Sequence, residues 1–128
     1  MKNIVNYIIG SFTFLIYFMG GLDSALKSLL IIIALDYLTG VASAFYNKKL
    51  NSKIGLKGLL KKFGYLCVIA LSFIIDNLTG QNGLIRLLII YYFIANDSLS
   101  IVENLAKMKI KLPQKFLDSL EQIKNKGE

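Results

Sequence analysis

Residues 25–46 read ALKSLLIIIALDYLTGVASAFY, and this stretch decides the class of the protein. An α-helix rises about 1.5 Å per residue, so about 20 apolar residues cross the hydrocarbon core of a bilayer, which is about 30 Å thick. The apolar residues run continuously instead of alternating with polar ones, which favours a helix over a barrel strand. The stretch therefore predicts a transmembrane helix, with the carboxyl of Asp36 inside it.

Three further apolar stretches accompany it, at about residues 4–22, 63–79 and 84–105. The last is long enough to span a bilayer, whereas the other two are marginal. We predict an all-α integral membrane helical bundle, a single membrane domain over residues 1–128 with four transmembrane helices. Three transmembrane helices are the alternative if residues 4–19 do not span. A basic cytoplasmic connector at 47–62 and a cytoplasmic tail at 106–128 complete the prediction. Residues 4–19 could also form a cleaved signal peptide, since Lys2 precedes an apolar run.

Composition supports this class and argues against an enzyme. Apolar residues make up 55% of the chain, and the mean hydropathy is +0.56. The chain has no His, no Trp and a single Cys, Cys67, inside an apolar run. Imidazole acid–base chemistry, Cys/His zinc sites and an internal disulfide are therefore excluded. We expect neither a cofactor nor a metal.

The basic residues indicate an orientation in the membrane. The chain has 15 Lys and Arg against 8 Asp and Glu, a net charge of +7. Most lysines lie in the connector and in the tail, whereas the turns at 20–24 and 79–83 have neither Lys nor Arg. The positive-inside rule then places both termini in the cytoplasm if there are four crossings. Three crossings would put the N-terminus outside or lay the first stretch flat on the membrane.

The lysines bunch between apolar stretches, which is typical of residues that face anionic lipid rather than nucleic acid. Membrane lipids are therefore expected partners, and nucleic acid is not. The connector forms either a basic helix at the membrane surface or a tight turn between spans. Its predicted membrane-surface residues are Lys48, Lys49, Lys53, Lys57, Lys61 and Lys62.

Two spans carry polar side chains at helical spacing, and these are the candidate functional residues. A charge inside a span costs at least a few kcal/mol, so each carboxyl needs a partner, water or a proton. The stripes line a pore or an oligomer interface, or they are hydrogen-bonded inside a packed bundle. In the second stretch they are Asp36, Thr39, Gly40 and Ser43, and in the fourth Asn96, Asp97, Ser100, Glu103 and Asn104.

Two ion pairs are expected at the opposite end of the bundle. Asp76 ends the third stretch and Arg86 begins the fourth, across a short turn. Asp23 and Lys27 are one helical turn apart at the start of the second stretch, which allows them to pair. We interpret both pairs as anchors of helix ends.

The tail predicts one more element. After Pro113, apolar residues recur at helical spacing, which predicts a short amphipathic C-terminal helix. We expect this helix to lie on the membrane or against a neighbouring chain. The apolar residues are Phe116, Leu117, Leu120 and Ile123.

Over roughly residues 25–124 the chain resembles the toxin-secretion/phage-lysis holin family of Gram-positive phages and clostridia. Three segments carry the resemblance, and their order and spacing make it specific. They are Leu35-Asp-Tyr-Leu-Thr-Gly-Val-Ala-Ser-Ala44, Asn51-Ser-Lys-Ile-Gly-Leu-Lys-Gly-Leu-Leu-Lys-Lys62, and Asn96-Asp-Ser-Leu-Ser-Ile-Val-Glu-Asn104 leading to Leu112-Pro113.

The resemblance implies a non-enzymatic, multi-pass protein of the bacterial cytoplasmic membrane. Such a protein self-associates and opens non-selective lesions that release a cell-wall hydrolase or a toxin, which leads to host lysis. The residues alone leave three other functions open. They are a small oligomeric ion channel or transporter that uses the membrane carboxylates, a lysis inhibitor (antiholin), and a scaffold for another membrane complex.

Overall fold

The computed structural model describes residues 1–127, with side chains as far as Asn125. Within these residues the chain forms helices and no strand, which confirms the prediction of an all-α bundle. The helices are α1 (Lys2–Phe18), α2 (Ser24–Tyr46), α3 (Ser52–Thr79), α4 (Leu84–Lys107) and α5 (Gln114–Gly127). Of these, α2, α3 and α4 are long and apolar enough to cross a membrane.

Local chemistry sets the helix ends. The carboxylate of Asp23 accepts a hydrogen bond from the backbone N–H of Leu26 and caps α2. The side chain of Asn51 caps α3 in the same way. At the other end of α3, Gly80 adopts a left-handed conformation, with φ of +69°, which favours glycine.

The basic segment differs from its predicted form, because it is neither a separate surface helix nor a turn. The loop between α2 and α3 covers only residues 47–51, and α3 begins at Ser52. Residues 52–62 therefore form the first turns of α3, and Gly55 and Gly58 do not interrupt it. At about 1.5 Å per residue, α3 is about 42 Å long, so its basic turns can extend beyond the hydrocarbon core.

The three long helices alternate in direction along the chain. Asp23 at the start of α2 pairs with Arg86 at the start of α4, and Asn47 after α2 donates to the carbonyl of Lys107 at the end of α4. Hence α2 and α4 run parallel, and α3 returns between them. The loop at 47–51 and the segment after α4 lie at the same end of the bundle.

The centre of the bundle is α4, which packs against α2, α3 and α5, whereas α2 and α3 contact each other less. Leu26, Leu29, Ile69 and Ile90 are fully buried in the shared core. Leu78 on α3 is 81% exposed, and other large apolar side chains also point outward. Such a surface is unusual in water but is expected of helices that face lipid.

The two terminal helices differ in how they pack. Within α1 no residue is fully buried, although Met19, directly after it, is 1% exposed. By contrast, α5 folds back along α4, with Leu120 buried and Ile123 against the core. The sequence predicted that the amphipathic helix would lie on the membrane or on another chain. In the structure it lies on α4 of its own chain, because its apolar stripe fits there.

Candidate functional site

A buried ionic cluster, formed by Asp36, Lys62 and Asp97, joins the three long helices. The ammonium Nζ of Lys62 on α3 is 2.7 Å from Oδ2 of Asp36 on α2 and 2.6 Å from Oδ1 of Asp97 on α4. The side chains of Lys62, Asp36 and Asp97 are 16%, 9% and 1% exposed. Each helix therefore contributes one charge to a site with little access to solvent.

Amide and aromatic groups surround the ionic cluster. Asn104 Nδ2 donates to Thr39 Oγ1 at 3.0 Å and to the carbonyl of Asp36 at 3.3 Å, which links α4 to α2. On the other side, Lys62 Nζ lies 4.8 Å from the centre of the Tyr65 ring. These contacts hold α4 against the backbone of α2 at Asp36 and place an aromatic face beside the ammonium.

Tyr65 connects the cluster to the apolar core. Its ring stacks on Phe93 with centroids 4.0 Å apart, and its hydroxyl accepts a hydrogen bond from Asn96 Nδ2 at 2.8 Å. Tyr65 did not stand out in the sequence, because an aromatic residue in an apolar run is usually only packing. However, Tyr65 lies three residues after Lys62, about one helical turn away. This spacing is the sequence signal that predicts a contact between the two side chains.

The charges in the cluster do not balance. Two carboxyls share one ammonium, and Oδ2 of Asp97 is buried without a hydrogen-bond partner among the described residues. A buried charged oxygen without a partner is costly, so this carboxylate is the least stabilised member of the cluster.

The structure brings some of the predicted polar residues together and leaves others apart. Gly40 lies close to Asn104, since a Cβ at Gly40 would be 3.6 Å from Nδ2 of that amide. Ser43 is buried, and Ser100 is half-buried. Glu103 is exposed and makes no hydrogen bond or ion pair among the described residues. The remaining predicted polar residues lie in or beside the ionic cluster: Asp36, Thr39, Asn96, Asp97 and Asn104.

The six connector lysines fall into two groups, one in the ionic cluster and five exposed. Lys62 was predicted to lie at the membrane surface, but the structure places its ammonium between the two carboxylates of the ionic cluster. The physical reason is that α3 begins early and carries Lys62 down to the depth of Asp36 and Asp97. The other five are exposed: Lys48, Lys49, Lys53, Lys57 and Lys61.

The opposite end of the bundle is held by Arg86, with partners that differ from those predicted. Its guanidinium donates to Asp23 Oδ2 at 2.7 Å, to the carbonyl of Gly21 at 2.9 Å and to the carbonyl of Met19. The carboxylate of Asp76 instead accepts the backbone N–H groups of Ile85 and Arg86 and caps α4. The predicted Asp76–Arg86 ion pair is therefore wrong, because backbone donors already occupy that carboxylate.

The predicted pair of Asp23 and Lys27 is also absent from the described ion pairs, since Asp23 binds Arg86. Burial tends to raise the pKa of Asp23. Hydrogen bonds from Arg86 and from the backbone N–H of Leu26, with the positive charge of Arg86, outweigh this effect and lower the pKa below 3.8. Asp23 is therefore ionised at neutral pH and ties α2, α4 and the end of α1 together.

Sequence comparison identifies the family. The sequence profile of the bacteriophage holin family matches residues 13–125, which is most of the chain. The chain belongs to the bacteriophage holin family. The resemblance noted in the sequence is thereby confirmed.

Relatives in the family agree with this assignment. An uncharacterized 14.9 kDa protein of Clostridium perfringens is 39% identical and covers 98% of this chain and 99% of its own length. A probable holin of Bacillus phage phi105 is 31% identical over 80% of this chain and 76% of its own length. An uncharacterized protein of Listeria monocytogenes is 35% identical over 77% of this chain and 70% of its own. No solved structure matches significantly.

The match to the holin family includes the whole ionic cluster and begins inside α1, at residue 13. The profile therefore covers the end of α1, all of α2, α3 and α4, and most of α5, and the first Clostridium perfringens relative is similar over α1 as well. Within the described residues no group of three His, Cys, Asp or Glu side chains could hold a metal ion. The space between the two membrane carboxylates is filled by the ammonium of Lys62.

Proposed function

We propose that this chain is a holin that oligomerises in the bacterial cytoplasmic membrane and forms non-selective lesions. A cell-wall hydrolase or a toxin would leave the cell through them, and lysis would follow. The observation that carries the proposal is the family match over residues 13–125, on a chain with three helices suited to span a membrane. The protein would act by assembly, without catalysis.

The proposed orientation places both termini in the cytoplasm. The connector lysines precede or begin α3, and Lys107, Lys109 and Lys111 end or directly follow α4, so these two groups lie at one end of the bundle. The turns at the other end, residues 20–23 and 80–83, carry neither Lys nor Arg. Under the positive-inside rule the lysine-rich end faces the cytoplasm. In this arrangement α1 is a fourth crossing.

The ionic cluster supports a mechanism in which the lesion opens abruptly. In an isolated chain, Lys62 holds α2, α3 and α4 together and shields Asp36 and Asp97 from lipid. If crowded copies admit water between the helices, the three charged groups can be hydrated instead of paired, which lowers the cost of separating them. Wetting and helix separation would then reinforce each other.

Membrane potential can bias this step. Moving one charge across 100 mV is worth about 2.3 kcal/mol, so charged groups that shift in the field respond to depolarisation. Two carboxyls and one ammonium do not cancel, so a movement of the whole cluster would carry charge. Loss of the potential would then favour or oppose opening according to the direction of that movement.

One experiment tests the function directly. The chain is expressed alone in a bacterium, and dye entry and release of a cytoplasmic enzyme are measured over time. A holin stops growth at a defined time and releases folded enzyme. Growth that continues, with delayed lysis only when a partner holin is co-expressed, would instead identify a lysis inhibitor and contradict the proposal.

A matched set of variants tests the role of the cluster. Asp36→Asn and Asp97→Asn each alter the balance of charge around Lys62 and should shift the time of lysis strongly. Glu103→Gln is the control, because Glu103 lies on the same helix as Asp97 but is exposed and outside the ionic cluster. This variant should leave the time of lysis unchanged. Equal timing in all variants, at equal protein levels, would remove the two carboxylates from the mechanism.

A small ion channel or transporter is the second candidate, and the unsatisfied Oδ2 of Asp97 is the observation that favours it. A buried carboxyl oxygen without a donor could exchange a proton or bind a small cation. The channel hypothesis expects ion-selective currents from a fixed oligomer in liposomes. Release of an entrapped folded protein would contradict it and support the holin.

A further inference from the structure

A cleft of about 610 Å³ opens between α2 and α3 at the lysine-rich end of the bundle. One wall is the second half of α2, the other is the beginning of α3, and α4 closes the back with Ser100 and Asn104. Asp36 and Lys62 lie among the lining residues, so the cleft reaches the ionic cluster. Its volume lies within the roughly 300–1,000 Å³ of typical ligand sites.

Two glycines of α3 line this cleft. A Cβ at Gly58 would meet no atom within 4 Å, so the space beside it is empty. A Cβ at Gly55 would lie 3.6 Å from the hydroxyl of Tyr37 across the gap. Glycine costs a helix about 1 kcal/mol relative to alanine, yet α3 has both residues on the wall of the cleft.

The cleft combines a basic rim with apolar walls. Lys49, Lys61 and Lys107 line it, are exposed, and have no side-chain hydrogen bond or ion pair among the described residues. Val41 and Ile54 are among the apolar residues of the walls. Three free ammonium groups above an apolar slot complement a ligand with an anionic head and a hydrocarbon chain.

We infer that this cleft binds one anionic phospholipid. The phosphate contacts Lys49, Lys61 and Lys107, and an acyl chain lies between α2 and α3 beside Gly58. A free phosphate would fit the rim but would leave the apolar walls uncovered. The bound lipid would cover the open side of Asp36 and Lys62 and so keep water away from the ionic cluster.

The experiment measures lipid retention by the full-length protein. The protein is purified from vesicles that contain equal amounts of phosphatidylglycerol and phosphatidylcholine, and bound lipid is counted by native mass spectrometry. We expect one phosphatidylglycerol per chain to be retained in preference to phosphatidylcholine. Equal retention of the two lipids would overturn the inference, because the lysines would then not recognise the head group.

Two variants locate the lipid, and two controls test the location. Gly58→Leu fills the empty space with a good helix former, and Lys61→Gln removes one rim charge. Lys61→Gln should lower retention by about fivefold, the effect of one lysine near an anionic surface, and Gly58→Leu should lower it because the leucine takes the space of the acyl chain. Lys53→Gln and Lys57→Gln remove lysines of the same helix that do not line the cleft, and should retain the lipid.

Two results would contradict the assignment. Equal loss of lipid in the control variants and in Lys61→Gln would indicate diffuse attraction to the anionic surface, without a cleft site. The second test compares thermal stabilisation in detergent by phosphatidylglycerol and by soluble glycerol phosphate. Equal stabilisation by the two would identify the ligand as a free phosphate and not a lipid.

Discussion

Replacing Lys62 with methionine should destabilise the bundle more than any exposed lysine replacement. Lys62→Met keeps the approximate volume but leaves Asp36 and Asp97 facing each other without a counter-ion. At an effective dielectric constant of about 20, each ion pair at this distance is worth about 6 kcal/mol before desolvation is subtracted. Without the lysine, one of the two carboxyls can instead take up a proton and share it with the other, which at neutral pH costs about 4 kcal/mol for an ordinary carboxyl.

That cost agrees with the roughly 3–5 kcal/mol usually lost when one partner of a buried ion pair is removed. We therefore expect the folding equilibrium to fall by a factor of roughly a hundred to several thousand. The assay is unfolding of the purified protein in mixed micelles with increasing dodecyl sulfate, followed by far-ultraviolet circular dichroism. Lys57→Met, five residues earlier on α3 and exposed, is the matched control.

A triple variant separates loss of charge balance from loss of packing. Lys62→Met combined with Asp36→Asn and Asp97→Asn removes all three charges and should recover most of the stability, since no buried charge is left without a partner. The reasoning is refuted if Lys62→Met is as stable as Lys57→Met. It is also refuted if the triple variant is no more stable than Lys62→Met.

Three further predictions concern the other end of the bundle and α5. Gly20→Ala should destabilise the fold more than Gly21→Ala: both have φ of +94°, but only at Gly20 would a Cβ strike the Arg86 side chain, at 2.7 Å. Thermal unfolding in detergent compares the two. Because the pKa of Asp23 is lowered, its contribution to stability is full above pH 3.8 and is lost as the pH falls below it. The loss of melting temperature on acidification should therefore be smaller in Arg86→Gln than in the unchanged protein. Leu120→Asp should release α5 from α4 and increase tryptic cleavage of the tail, whereas unchanged cleavage would show that α5 does not depend on this contact.

The long helices were predictable because their signal is local. A continuous apolar run such as residues 25–46 can satisfy its backbone polar groups in lipid only as a helix or a closed barrel, and it does not alternate as a barrel strand would. Helical spacing also placed Asn104 on a polar stripe of α4 that Asp97 flanks. In the structure Asn104 binds Thr39 on α2, whereas Asp97 binds Lys62 on α3.

The partners of these residues were not predictable, because they depend on how the helices pack. Lys62 belongs to a run of lysines that all resemble surface residues, and only the depth reached by α3 distinguishes it. Arg86 is nearest in sequence to Asp76, but capping of α4 occupies that carboxylate, so the guanidinium reaches Asp23 on α2 instead. A short separation in sequence therefore did not predict the ion pair, because backbone N–H groups bind the carboxylate oxygens of Asp76.

The packing of α4 also changes which surfaces are available to other copies of the chain. In its most apolar window, 33% of α4 is buried, against 17% in α2 and in α3. Its polar stripe faces α2 and α3, and α5 covers another part of its surface. In lipid no hydrophobic force drives helices together. Copies of a membrane protein therefore associate through close packing and through polar groups that have no partner within their own chain. Since Asn96, Asp97 and Asn104 bind partners within the chain, the proposed contacts between copies in the closed state would fall mainly to the exposed faces of α2, α3 and α1. Under the proposed mechanism these three side chains would become available to a neighbouring copy only after the ionic cluster has opened.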